Sequence, residues 1–359
     1  MTMPFHSLEI SDLRRETPDC VSVAFRVPPE LAAAYRFSPG QHLTLRSNID
    51  GREERRSYSI CAAPNEGELR VAIKRVPGGA VSNFANDRLA AGQRIDVGTP
   101  EGRFGLQPDP AKRRTHVLVA AGSGITPIIS IAKAVLGGEP RSRVVLVYAN
   151  RTVASIVFRE ALEDLKNRYM ARFSLVHVLS RERQDTPLLD GRLDADRMTA
   201  LARALFDAPA VDGFYLCGPH AMVEAVRGAL LALGAQSDRI HAELFLAPDA
   251  ATGTVAAKGE VQRREGAARV TIVRDGIRQI FEVPFDGPSI LDAGIARGLE
   301  LPFSCKGGVC STCRCLKRAG EVEMTANYSL EPWELEKGFV LACQSRPASR
   351  DIVLDFDEA

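Results

Sequence analysis

Aromatic residues are scarce in this chain of 359 residues, tryptophan occurs once, and neither sign of charge is in excess, with 46 lysines and arginines against 45 aspartates and glutamates. Such a chain has no basic, aromatic-studded face, so nucleic acid is not an expected partner. Nowhere do about 18 apolar residues run together, and the opening MTMPFHSLEISDLRRE has no apolar core of signal-peptide length. Neither a membrane-spanning helix nor a secretory route is expected, and the reading is of a soluble, cytoplasmic protein. No internal repeat and no acid–base triad is visible. The length exceeds what one hydrophobic core usually serves, so two or three domains are expected.

The eight cysteines are unevenly spread. Cys20, Cys61 and Cys217 stand alone, whereas Cys305, Cys310, Cys313, Cys315 and Cys343 crowd the C-terminal end. In a cytosolic protein disulfides are unexpected, so the crowd reads as metal-binding. Cys305, Cys310 and Cys313 have the spacing C-x4-C-x2-C, and with Cys343 they make the plant-type [2Fe-2S] pattern. A loop supplying three thiolates must curl tightly, which accounts for Gly307 and Gly308 inside it. A structural zinc site is the alternative, but paired C-x2-C knuckles on both sides are missing. Cys315 reads as a buried thiol that is not a ligand, although an extended chain would turn it to the same face as Cys313. Lys306, Arg314, Lys317 and Arg318 flank the loop and either steer an acidic partner or form an ordinary solvated face.

Three textures follow one another along the chain. Over 1–108, VSVAFRV, QHLTLRS, SYSICAA, LRVAIKRV and RIDVGTP are short strands between Gly and Pro, with SNFANDRL as a single helix. This predicts an antiparallel β-barrel. Over 109–247, apolar strands such as THVLVAAG, RVVLVYAN, FSLVHVLS and GFYLCGP alternate with the amphipathic segments PIISIAKAVLGG, SIVFREALEDLKNRY and AMVEAVRGALLALG. That alternation predicts an α/β domain with a parallel sheet. A patternless stretch rich in Ala, Gly, Thr and charge reads as a linker over 248–267. In 268–359, ARVTIVRDG and QIFEVPFDG form a hairpin, SILDAGIARGL a helix and RDIVLDF a last strand, an α+β, β-grasp-like ferredoxin domain.

On the barrel, Arg56, Ser57, Tyr58 and Ser59 lie on one strand, with Arg56 and Tyr58 on one face and Ser59 on the other. A flavin needs a cation for its pyrophosphate, an aromatic at its ring and a hydroxyl near the atom where hydride arrives, which makes this run a candidate site. Gly78, Gly79 and Ser82 open the barrel's helix, where a phosphate can rest. A barrel strand that carries Arg and Tyr for solubility and packing is the alternative. In the α/β domain, Gly122, Ser123, Gly124, Ile125, Thr126 and Pro127 join an apolar strand to an apolar helix, the context of a dinucleotide loop, although a third glycine is absent. The glycines admit a pyrophosphate, Thr126 can cap the helix and Pro127 suits its first turn. Asn150 and Arg151 end the second strand, where an NAD-selective site would carry an acid; the arginine favours NADPH. Cys217, Gly218 and Pro219 end another strand at the carboxyl edge of the sheet, with Cys217 beside a nicotinamide or simply buried. Phe245 covers a flavin or fills a core.

The order of domains, with the segments YRFSPGQHLTL, AAGSGITP, YANRT, FREALEDLK, CKGGVCSTC, ANYSLEP and VLDFDEA, resembles the ferredoxin–NADP reductase superfamily with a C-terminal [2Fe-2S] extension, over essentially the whole chain. Among its members the chain looks like the reductase subunits of multicomponent bacterial oxygenases. The resemblance implies FAD at Arg56, Tyr58, Ser59 and Gly79 through Ser82, and NADPH at Gly122 to Pro127 and Cys217 to Pro219, with Ser59 and Cys217 next to the reacting rings. It also implies an acceptor, a di-iron oxygenase that epoxidises the ring of phenylacetyl-CoA. The chain departs from the expected pattern at Ala149, where a glycine is expected, and at Leu244, where a charged residue is expected before Phe245. A reductase serving another oxygenase or a desaturase, and a non-enzymatic electron carrier, are the rival readings.

Overall fold

Tight two-residue turns set the first sheet. Asp50 and Gly51, both at positive φ (51° and 83°), close the hairpin between His42–Ile49 (β3) and Arg52–Ser59 (β4), as the twist of paired strands requires. The computed structural model describes residues 4–245 and 266–358. With Phe5–Thr17 (β1), Cys20–Arg26 (β2), Leu69–Lys74 (β5) and Arg94–Gly98 (β6), these strands form a six-stranded antiparallel sheet in the order β4-β3-β6-β1-β2-β5, and Ala80–Arg88 (α1) is its α-helix. Leu8, Ile10, Val23, Leu43, Leu45, Ile73 and Val97 fill it. β1 is the longest of the six and is not among the strands expected. Its exposed Arg14 and Arg15 break the apolar alternation, and pairing to β2 and β6 overrides that local signal.

The parallel sheet follows: Thr115–Ala121 (β7), Ile125–Gly138 (α2), Arg143–Asn150 (β8), Arg159–Arg168 (α3), Phe173–Leu179 (β9), Ala195–Leu205 (α4), Gly213–Gly218 (β10), His220–Ala232 (α5) and Ile240–Leu244 (β11). The strand order is β11-β10-β7-β8-β9, so the winding reverses between β7 and β10. In such sheets ligands bind at that crevice, beyond the carboxyl ends of the strands. The helix expected from Ser155 begins only at Arg159, because Phe158 before it sits at φ 61°. Helix α2 is docked on the barrel through Ser130 Oγ, which donates to the Ala62 carbonyl at 2.6 Å, and through Lys133, 3.0 Å from Glu66.

The second unit repeats the turn device. Asp275 and Gly276 (φ 50° and 72°) join Ala267–Arg274 (β12) to Ile277–Pro284 (β13). Then come Ile290–Ile295 (α6), Arg314–Ala319 (β14), Val322–Met324 (β15), Pro332–Glu336 (α7), Phe339–Leu341 (β16), Ser345–Pro347 (β17) and Asp351–Asp355 (β18). The main sheet runs β13-β12-β18-β14-β16, with β15 and β17 paired apart. The segment read as a linker, 248–267, lies outside the described residues except for its last two. Among the described residues no helix is long and apolar enough to cross a membrane.

At the amino edge of the parallel sheet Glu139 is wholly buried. Burial alone would raise its pKa, but hydrogen bonds from Arg114, Ser142 (2.6 Å) and the Asp109 N–H (3.2 Å) outweigh it and hold the carboxylate at about 2. The bonds to Asp109 and Arg114 tie down the passage from barrel to sheet. Glu139→Gln is expected to lower unfolding free energy by about 2 kcal/mol at pH 7 in a denaturant titration. The wild-type contribution is complete above the unfolded value near 4.5 and disappears as pH falls through 2, so the two proteins should converge in acid.

Candidate functional site

Alternation along β4 places Arg56 and Tyr58 on one face and Ser59 on the other. Arg56 is exposed and lies 3.1 Å from Glu54. Tyr58 packs against the barrel core, where burial raises its phenol above the ordinary value, and Ser57 Oγ is 3.5 Å from the Thr44 hydroxyl. Ser59 is buried, and its hydroxyl donates to Glu243 Oε2 at 3.1 Å. Glu243 belongs to β11, and its register partner on β10 is Cys217. Two candidates far apart in sequence thus meet at a third residue that sequence pattern does not single out.

Desolvation pushes the Glu243 carboxyl up to about 7, with the Ser59 hydrogen bond partly opposing it. Near neutral pH it can therefore hold or release a proton at Ser59 Oγ. Cys217 has no exposed surface, and burial, then the charge of Glu243, pushes its thiol well above the ordinary value. It stays a neutral, compact wall of the site. The signal for Glu243 was one carboxylate inside the apolar strand IHAEL, which becomes informative only when its partner is known.

Gly78, at φ 73°, and Gly79, the N-cap, lead into α1. A Cβ on Gly79 would fall 2.6 Å from Ser82 Oγ. That hydroxyl accepts from the Val76 N–H at 3.1 Å and donates to the Gly79 carbonyl at 3.2 Å. Ser82 therefore shapes the turn, and the N–H groups of the first helical turn are what a phosphate would meet.

Gly122–Gly124 forms a short 3₁₀ turn before α2, with Gly122 at φ 53°. At Gly124 a Cβ would sit 2.2 Å from the Cys217 carbonyl oxygen, so this glycine locks the loop against β10 rather than lining the crevice. Thr126 is not the cap that was expected. The helix begins one residue earlier, at Ile125, with Gly124 as N-cap, and the Thr126 hydroxyl donates to the Ser123 carbonyl at 3.1 Å. Ile125, Thr126 and Pro127 are buried beneath the loop. A cavity of about 780 Å³ opens at the winding reversal, lined by Gly122, Ser123, Asn150, Arg151, Gly218, Pro219 and Phe245. Lys74, Arg75 and Arg192 line it too and were not foreseen. A dinucleotide fits a crevice of this size with cations at its wall.

In the second unit the sulfurs fall into two hydrogen-bonded pairs, Cys305 with Cys310 and Cys313 with Cys343. Among the described residues no three His, Cys, Asp or Glu side chains gather about one ion position. Four thiols in two pairs match the number of thiolates that a [2Fe-2S] cluster takes. The bond from Cys310, and the N–H groups of Gly307, Val309 and Cys310, draw the Cys305 thiol below its usual value, with the Gly307 N–H 3.3 Å from the sulfur. Thiolate, the ligand form, is favoured there. The curl of the loop rests on Gly308 (φ 75°) and, against expectation, on Lys306 and Ser311, which take φ 50° and 55°. Cys315 is wholly buried on β14, its sulfur 3.8 Å from the Val340 carbonyl. The basic flank is not a free patch. Lys306 pairs with Asp292 at 2.7 Å, Lys317 with Glu321 at 2.6 Å, Arg318 with Asp355 at 3.1 Å, and Arg314 with Glu334 in the interior.

Comparison with known proteins matches three family models in succession: an oxidoreductase FAD-binding domain over 7–105, an oxidoreductase NAD-binding domain over 118–228 and a 2Fe-2S iron-sulfur cluster binding domain over 272–348. A component of the 1,2-phenylacetyl-CoA epoxidase of Escherichia coli K12 is 43% identical, over 98% of either chain. The ferredoxin reductase component of 3-ketosteroid-9-alpha-monooxygenase from Mycolicibacterium smegmatis is 37% identical, over 98% of this chain and 97% of that one. Among solved structures, phthalate dioxygenase reductase, described as modular for electron transfer from pyridine nucleotides to [2Fe-2S], superposes with a TM-score of 0.60 at 25% identity, over 99% of this chain and 100% of that one.

A carboxyl whose folded pKa, about 7, exceeds its unfolded value of 4.5 binds more protons in the folded state between those limits. Its contribution therefore worsens as pH rises from 4.5 to 7 and stays at its worst above. Glu243→Gln should flatten that slope, gaining on the order of 2 kcal/mol at about pH 8 relative to about pH 5 after allowance for screening. Thermal unfolding across that range is the measurement, and parallel curves for the two proteins would refute the assignment.

Proposed function

The chain belongs to the family of oxygenase reductase components that join an FAD-binding, a nicotinamide-binding and a [2Fe-2S] domain, and from that we propose that it carries electrons from NADPH to the di-iron oxygenase of a phenylacetyl-CoA epoxidase. It is an electron-transfer oxidoreductase. The observation that carries the choice of acceptor is the 43% identity from end to end with the epoxidase component, against 37% for the ketosteroid monooxygenase component. FAD, when bound, takes a hydride from the reduced nicotinamide and yields electrons singly, and the cluster passes them on one at a time.

The protein's own part is to hold, orient and protonate. Arg56, Ser57, Tyr58 and the start of α1 are the proposed flavin contacts, and Gly122, Ser123, Gly218 and Pro219 the proposed nucleotide contacts. Ser59 and Glu243 manage a proton beside the reacting rings, while Cys217, neutral and buried, keeps water from that wall. Cys305, Cys310, Cys313 and Cys343 are the proposed iron ligands. Arg151 at the cavity supports a 2′-phosphate and hence NADPH. Eight cysteines, none of them in a disulfide, support a reducing, cytoplasmic setting.

The test is anaerobic titration of the purified chain with NADPH and with NADH, followed by addition of the epoxidase oxygenase with phenylacetyl-CoA, or of a ketosteroid oxygenase with its steroid. Turnover with the steroid system alone would sink the choice of acceptor. Cys310→Ser should lose cluster absorbance and delivery to the oxygenase while NADPH still bleaches the flavin. Arg151→Ala should raise KM for NADPH roughly tenfold, equivalent to about 1.4 kcal/mol, and leave that for NADH nearly unchanged.

A further inference from the structure

Gln344, next to Cys343, sets its side-chain amide between the two halves of the thiol site. Its Nε2 donates to the Lys306 carbonyl at 2.8 Å and lies 3.6 Å from Cys343 Sγ. Its Oε1 accepts from the Thr325 hydroxyl at 2.7 Å. A carbonyl oxygen can only accept, so the contact with Lys306 determines which end of the amide is nitrogen, and Thr325 donates to the other end. The amide is thus held at both ends, with its nitrogen turned toward the Cys343 sulfur. The stem is held as well, since the Gln344 main-chain carbonyl accepts from the Thr325 N–H at 3.0 Å, and a Cβ on Gly308 would come within 3.2 Å of Gln344 Cγ.

We propose that Gln344 is a positioning residue of the cluster, whose amide N–H donates to the Cys343 sulfur and raises the cluster's reduction potential while clasping the loop of the first two ligands to the turn that carries the last. A reduced cluster carries one more negative charge, part of it on the ligand sulfurs, so an N–H aimed at sulfur favours the reduced form over the oxidised one. The bond to Lys306 matters for the same reason, because Lys306 follows Cys305 and its carbonyl holds the donor in place. The inference rests on Cys343 being a ligand.

The experiment is an EPR-monitored reductive titration of the full-length chain with flavin and cluster in place, alongside iron determination, on wild type, Q344M, T325V and C343S. Methionine keeps the length of the side chain and removes the donor. Q344M with a full complement of iron should be reduced at a lower potential. At the wild-type midpoint its ratio of reduced to oxidised cluster should fall about tenfold, which is about 59 mV for a one-electron couple. T325V, which frees the amide to turn, should shift in the same direction by less. An unchanged midpoint in fully loaded Q344M overturns the proposal. If Q344M loses iron, T325V decides: a lowered midpoint supports the proposal and an unshifted one overturns it, leaving the amide a brace alone. C343S with wild-type iron content and midpoint overturns it differently, through its premise.

Discussion

A hydrogen bond between residues 184 positions apart, from the Ser59 hydroxyl to the Glu243 carboxyl, joins the barrel to the last strand of the parallel sheet. The carboxyl sits where solvent is largely displaced, so it must be paired or protonated, and it is partly both. The rest of the site is arranged around that necessity. Cys217 occupies the adjacent register position, and the Cys217 carbonyl leaves no room for a side chain on Gly124. That close contact presses the nucleotide loop onto the strand beside it. The loop, the Glu243 carboxyl and the mouth of the cavity are consequently fixed with respect to one another by close packing of neighbouring strands rather than by long side chains.

The iron–sulfur domain solves a different problem. Three cysteines within nine residues must be gathered by tight backbone curvature. The loop achieves this by placing Lys306, Gly308 and Ser311 at positive φ, which aims main-chain N–H groups inward at sulfur. Around it, Tyr328 and Ser329 bond to the Gly308 carbonyl, and the Arg314–Glu334 pair anchors α7 directly after the third thiol. The four cations that flank the cluster loop are each paired within the domain, so they do not form a free basic patch.

Much of this was legible beforehand. The hairpin of ARVTIVRDG and QIFEVPFDG, the alternation of apolar strands and helices, and the C-x4-C-x2-C spacing each express a local rule, in which neighbours in the chain are neighbours in space. Strand β1 escaped because its polar residues are explained only by the two strands flanking it, and the late start of α3 because nothing local announces a left-handed Phe158. Thr126 was misread as a cap because helix starts are decided by hydrogen bonds that spacing does not reveal.

What the sequence determined alone was therefore the kinds of domain, their order and the residue types that could hold a flavin, a nucleotide and a cluster, since these follow from periodicity and spacing over short stretches. Tertiary structure decided which groups meet: that Glu243 is the partner of Ser59, that Gly124 serves packing, that four flanking cations are already neutralised, and that the thiols stand in two pairs. The reason is physical. Burial and through-space pairing depend on strands brought together by the whole fold, and a pKa or a hydrogen bond is a property of that meeting rather than of either residue in the chain.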